Sequence, residues 1–198
     1  MKNVGTQKII TDRLILRRFT LDDAENMFNN WANDPEVTKY LRWPPHLNIG
    51  VTTKLLDEWI GCYNDLAYYS WAIALRETDI VIGSIGIMGV SEVDESGEIG
   101  YCMGKKWWGK GLMTEALKAV ISFSFEQSGF NRLEADHSVN NPASGRVMQK
   151  AGMTLEGIAR QKYKANLGFQ DCKVYSVIKD DCHQLQPTVG SVEKAFKI

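Results

Sequence analysis

The chain has 198 residues, 44% apolar and 24% charged, with a formal net charge of −1, enough for one domain with a substantial core and without the charge footprint of a nucleic-acid or anionic-membrane binder. No apolar run approaches the ~18 residues of a membrane span, and the opening MKNVGTQKII lacks an apolar signal core. The four cysteines and three histidines show no metal or disulfide spacing, so a cytoplasmic, metal-free chain with reduced thiols is expected.

In chain order, RLILRRF (13–19) reads as an opening strand. The following TLDDAENMFNNWAND reads as a helix, with Thr20 as N-cap, Asp22 and Asp23 in the first turn, and Leu21, Ala24, Met27, Phe28 and Trp31 on one face. RWPPH (42–46) is a proline-stiffened loop before a second amphipathic helix, about 50–65. Three strands follow at 68–75, 80–90 and 97–103, separated by the turns RETD and SEVDESG. After a glycine-rich loop comes a helix to about Ser128, ended by Gly129. RLEADHSV (132–139) is a strand, and a helix starts at Pro142 and stops at Gly152. Two further strands join around NLG. Residues 1–182 form the expected domain. The polar tail from His183, with Pro187 and Gly190, is expected to be peripheral.

The glycine-rich loop carries the chemistry. MGKKWWGKG, from Met103, nearly spells a Walker A motif, but Gly111 stands where a metal-binding hydroxyl is required. Asp136 ends no Walker B strand, and Trp107 and Trp108 would hinder a loop that wraps a β-phosphate. A dinucleotide fingerprint fails because Thr114 occupies its third glycine. What remains is a metal-free diphosphate. Gly109 and Gly111 let the backbone approach it, and the amides of Gly109, Lys110, Gly111, Leu112, Met113 and Thr114 face it. Coenzyme A, a diphosphate with a thiol arm, fits.

The order of elements, with EIGYCMGKKWWGKGLMTEAL and NNPASGRVMQKAGMTLEG, resembles the Gcn5-related N-acetyltransferase (GNAT) superfamily over about residues 10–180. Within it, the chain is similar to ribosomal-protein acetyltransferases of the RimJ/RimL type. The family loop, Q/R-x-x-G-x-G/A, here begins with Lys106. The resemblance implies an α/β (α+β) fold: a mixed, mostly antiparallel sheet of about seven strands with flanking helices, whose splayed parallel strand pair holds acetyl-CoA. It also implies direct acetyl transfer to an amine. The backbone of Cys102, Met103 and Gly104 would pair with the pantetheine arm, and the Met103 amide would stabilise the oxyanion.

Deprotonating an α-amino group at neutral pH costs only ~1 kcal/mol, against roughly 4–5 for lysine, so a water-linked carboxylate suffices for an N-terminus. Glu98 is the candidate base, with a solvated strand-end role as the alternative; Glu156 is a second candidate, more simply structural. Ser144 would hydrogen-bond the leaving sulfur or relay a proton, or else only satisfy backbone. Tyr163 is a possible substitute. Asn141 would anchor pantetheine or cap its helix. YLRWPPH and ANLGFQD would wall the acceptor, with Tyr40, Trp43 and Phe169 as lining or core, while Trp107 and Trp108 pack the loop. Three readings stay open: an N-terminal acetyltransferase acting on a protein such as a ribosomal protein, an acetyltransferase of a small amine, and a non-catalytic acyl-CoA-binding module. Either a monomer or a homodimer is compatible, and no nucleic-acid or membrane partner is expected.

Overall fold

The computed structural model describes the backbone of residues 1–184 and side chains through Asp181. Its strands are β1 (Ile9–Ile10), β2 (Leu14–Arg17), β3 (Tyr69–Leu75), β4 (Val81–Ser91), β5 (Ser96–Met103), β6 (Arg132–Ser138), β7 (Thr154–Ala165) and β8 (Gly168–Ile178). They form one sheet in the order β1-β2-β3-β4-β5-β6-β8-β7. Every neighbouring pair is antiparallel except β5 and β6. The sheet has eight strands rather than the expected seven. The extra one, β1, pairs only Ile9 and Ile10 with Leu16 and Ile15, too short a stretch for alternation to register in the sequence.

The parallel pair positions the site. β5 and β6 are paired only where Ser96–Glu98 faces Arg132–Glu134. Beyond that, β5 runs on to Met103 and β6 to Ser138 unpaired with each other, so the strands diverge and leave a gap.

Apolar residues cover both faces. On one side Leu14, Trp71, Ile85, Ile99, Leu117 and Leu133 share a core; on the other, Met27, Trp31, Leu56, Ala72 and Val81 do. The run YSWAIAL splits between them, Trp71 and Ile73 to the first and Ala72 and Ala74 to the second. Strands buried on both faces lose their polar alternation, which is why this stretch reads as continuously apolar.

The helices are α1 (Ala24–Met27), α2 (Pro35–Thr38), α3 (Ile49–Gly61), α4 (Leu112–Phe123), α5 (Pro142–Lys150) and α6 (Lys179–Gln184). The first expected helix is broken into a 3₁₀ turn at Leu21–Asp23, α1, and a wide turn at Phe28–Ala32. There the Asn30 amide donates to the Val81 carbonyl at 2.7 Å, tying the turn to β4. The short α2 was not legible in the sequence; Asp34 caps it by accepting from the Glu36 N–H at 2.8 Å. After α4 a wide turn at Ser124–Ser128 ends on Gly129 at φ 71°, as expected. The remainder of the tail, with Pro187 and Gly190, lies outside the described residues. No helix among the described residues is long and apolar enough to cross a membrane.

Candidate active site

Between β5 and α4 the chain makes a 3₁₀ turn at Lys105–Trp107 and then the two glycines. Gly109 has φ 73° and Gly111 φ 76°, a conformation that penalises any Cβ. Gly111 is the N-cap of α4, and no side chain caps that end. The first N–H groups of a helix have no intrahelical acceptors and carry its positive dipole end. A diphosphate therefore fits this loop.

Arg13 fixes the loop from outside. Its Nη1 donates to the Lys110 carbonyl at 3.0 Å, while its Nε donates to Glu115 Oε2 at 2.6 Å. The Thr11 hydroxyl also donates to Glu115 at 2.6 Å. Burial pushes the Glu115 carboxyl upward, but these hydrogen bonds and the Arg13 charge hold it below its ordinary range. An acidic side chain in the first turn of α4 is thereby neutralised rather than aimed at the anion. Of the two indoles, Trp107 is buried as expected. Trp108 is 47% exposed and donates from Nε1 to the Met103 carbonyl at 2.7 Å.

From this loop a cleft of about 470 Å³ runs past the end of β5 to the start of α5 and the α2 segment. The loop side contributes Gly109, Gly111, Leu112, Met113 and Thr114; β5 contributes Tyr101, Cys102 and Met103; α5 contributes Ser144, with Asn141 at its N-cap. Gly104, Lys110 and Glu98 lie outside its lining. Gly104 is committed to packing: its N–H donates to Ile82 at 2.9 Å, and a Cβ there would collide with the Asn30 carbonyl and the Trp107 ring.

That Gly104–Ile82 bond orients its neighbour. Hydrogen-bonding direction alternates along an antiparallel strand. Met103, opposite Gly83, therefore points its N–H away from β4 and into the gap. Asn141 sits at the N-cap of α5 without a side-chain capping bond, so the two roles weighed for its amide are not combined.

Ser144 is not alone. The Tyr101 hydroxyl lies 2.9 Å from Ser144 Oγ and 3.1 Å from the Ser144 carbonyl oxygen. Burial raises the Tyr101 hydroxyl well above its ordinary value. Tyr101 alternates with Ile99 and Met103 along β5, the pattern of an ordinary core strand, and nothing in the sequence signals this contact. The neighbouring Cys102 thiol is pushed up to about 11 by burial, against opposing hydrogen bonds with Ser84, so it stays protonated at neutral pH.

The face of β5 opposite Tyr101 and Met103, which Cys102 shares, carries Glu98. Its Oε2 is 3.9 Å from Lys162 Nζ, which lies 2.6 Å from Asp136 Oδ2. Burial opposes the Lys162 charge, but the hydrogen bond and charge of Asp136, aided by Glu98, hold it above its ordinary value. Glu156 is far from the cleft lining: Arg132 grips both its oxygens at 2.8 and 2.5 Å and Ser176 donates at 2.7 Å, pulling it down to about 2. That is a structural assignment.

The two expected acceptor walls meet each other. Asn166, at the β7–β8 turn, donates from Nδ2 to the Thr38 and Trp43 carbonyls at 2.9 and 2.8 Å, and from its backbone N–H to Leu41 at 3.2 Å. The Tyr163 hydroxyl donates to the Tyr40 carbonyl at 3.0 Å, which commits it to this clamp and away from Ser144. Tyr40 lines the cleft, Trp43 packs beside His46, and Phe169 is 64% exposed. The sequence held no signal for the Arg13 strut or the Asn166 clamp, because both join residues distant in the chain.

A family model described as an acetyltransferase (GNAT) domain matches residues 13–154. The chain is 34% identical over 169 residues to the uncharacterised N-acetyltransferase YoaA of Bacillus subtilis (strain 168), covering 85% of this chain and 95% of that protein. It is 28% identical over 177 residues to the ribosomal protein uS5 alanine N-acetyltransferase of Escherichia coli (strain K12), covering 80% of this chain and 84% of that one. Among solved structures, the ribosomal L7/L12 α-N-protein acetyltransferase RimL in complex with coenzyme A shares the fold at a TM-score of 0.79 and 20% identity, over 88% of this chain and 99% of that one.

Proposed function

We propose that this chain, which belongs to the GNAT acetyltransferase family, acetylates the N-terminal α-amino group of a protein. Acetyl-CoA is the family's acetyl donor and supplies the activated acetyl group. The amides from Gly109 to Thr114 hold the diphosphate, and the Met103 N–H donates to the acetyl carbonyl oxygen. Glu98, off the cleft lining, takes the amine proton through water. Ser144 hydrogen-bonds the sulfur as the thiolate leaves. Transfer passes directly to the amine, as family membership supports.

The observation that carries the choice of acceptor is the charge of the cleft. Its lining has a single carboxylate, Glu36, against the cations Lys39, Arg146 and Lys150. A polyamine or other polycation would be repelled there, whereas an α-amine, half deprotonated near pH 8, needs no acidic trap. The relatives that act on ribosomal-protein N-termini point the same way.

The test is coenzyme A release with three acceptors: peptides with a free N-terminal Ala or Ser, the same peptides N-blocked with an internal Lys, and spermidine. Free N-termini are expected to exceed both others at least tenfold in kcat/KM. A preference for spermidine or for the internal lysine rejects the reading. Tight acetyl-CoA binding with no turnover of any amine would instead mark a binding module.

A further inference from the structure

We infer that Tyr101 is a positioning residue that directs the Ser144 hydroxyl hydrogen to the leaving sulfur; this rests on the reading that Ser144 faces the coenzyme thiol. The Tyr101 hydroxyl has one hydrogen and two acceptors in reach, the Ser144 carbonyl oxygen at 3.1 Å and Ser144 Oγ at 2.9 Å. Two arrangements share the same heavy-atom positions. In the closed one, Ser144 Oγ–H donates to Tyr101, and Tyr101 donates to the Ser144 carbonyl. In the open one, Tyr101 donates to Ser144 Oγ, which frees the Ser144 hydrogen for the cleft that both residues line. Passing between them rotates two hydroxyl hydrogens and moves no charge.

The pair is asymmetric. Burial strengthens Tyr101's hold on its proton, so it serves as a fixed donor and does not itself release the proton. A developing thiolate selects the open arrangement, because hydrogen bonds to an anion are stronger than neutral ones and chains of donors polarise one another. A serine without such a partner would have its Oγ lone pairs unengaged and be a weaker donor. The balance of the reaction is unchanged: the amine loses one proton to the base and water, the C–S bond breaks as the C–N bond forms, and the thiolate is protonated from solvent through the cleft.

The experiment reads the coenzyme thiol itself, independent of any acceptor. Coenzyme A is bound to the protein, and the ultraviolet thiolate absorbance is titrated against pH, with the protein-only titration subtracted. Free thiols titrate near pH 8.5. In the wild type the midpoint is expected about one unit lower than in S144A, a tenfold shift in the thiolate equilibrium. Y101F is expected to fall between wild type and S144A, because an unpartnered Ser144 remains a weaker donor, and the Y101F/S144A double variant is expected to coincide with S144A, since Tyr101 acts only through Ser144. S144T, which keeps a hydroxyl, should retain most of the wild-type shift. Should Y101F fold poorly, uniform 3-fluorotyrosine, a stronger donor, is expected to lower the midpoint further in the wild type and not in S144A. A Y101F midpoint equal to wild type, or a fluorotyrosine effect undiminished in S144A, overturns the inference. If S144A itself titrates like wild type, the role of Ser144 falls and this inference with it, while the choice of acceptor, measured by turnover, is untouched.

Discussion

Gly109 was legible from sequence because its requirement is local: a φ of 73° asks for glycine whatever surrounds it. A Cβ there would touch nothing within 4 Å, so space does not constrain the position; conformation and the ligand's charge do. Gly109→Glu combines left-handed strain of about 1–2 kcal/mol with a carboxylate facing a diphosphate, about 4 kcal/mol at 4 Å in a surface-like dielectric. Coenzyme affinity by calorimetry should fall at least a hundredfold, whereas Gly109→Asn, which tolerates this φ, should lose far less. Equal loss in both would mean that shape rather than charge governs the loop. Glu98 is a different case. Its strand-end place was readable, but its neighbour Lys162, 64 positions later in the chain, was not. Glu98→Gln should lower kcat and remove the acidic limb of the pH–rate profile while leaving acetyl-CoA affinity unchanged. An unaltered profile would dismiss it as base. Tyr101 shows the limit of residue-level reading: the same alternation that buries Ile99 and Met103 brings Tyr101 to Ser144, and alternation does not distinguish the two duties.

At the scale of elements, strands and helices with strong periodicity were readable, and contacts between their ends were not. The β7–β8 hairpin followed from NLG, and the proline loop from RWPPH. Their meeting depends on Asn166, whose three hydrogen bonds reach carbonyls at Thr38, Leu41 and Trp43. The sequence marks this residue only as a turn former. Asn166→Ala removes the two side-chain bonds, but the Thr38 carbonyl keeps the Leu41 N–H and the Trp43 carbonyl is open to water, so the cost is roughly 0.5–1.5 kcal/mol per bond in a locally opened hairpin. Because this clamp lies on the acceptor side, the KM for the peptide should rise several-fold while the acetyl-CoA Kd stays within twofold. A coenzyme Kd that rises in step would show that the clamp shapes the whole cleft.

At the scale of the molecule, neighbouring strands stay laddered along the sheet, with local bulges, but part at one seam. β5 and β6 pair over three residues and then part, so the two halves of the sheet meet there chiefly through α4 and α5 packed on one face. The seam was foreseeable only through family likeness, since parallel pairing and its early end leave no mark on the composition of either strand. A ligand that bonds the loop before α4, the backbone at Met103 and the start of α5 ties both halves together and binds only the folded chain. Mass action then sets the gain: at a free coenzyme concentration of one hundred times Kd, stability rises by about 2.7 kcal/mol. For a chain of this length each kcal/mol moves the melting temperature by roughly 2–4 °C, so a rise of about 5–10 °C is expected by calorimetry in the presence of EDTA. ATP with Mg²⁺ should give none, because Gly111 offers the metal no hydroxyl. Gly109→Glu should melt roughly 2–8 °C below the wild type alone, from its left-handed strain, and show no rise with coenzyme. A rise with ATP–Mg²⁺ in place of coenzyme A would overturn the assignment of this loop, and a rise retained in Gly109→Glu would move the diphosphate elsewhere on the seam.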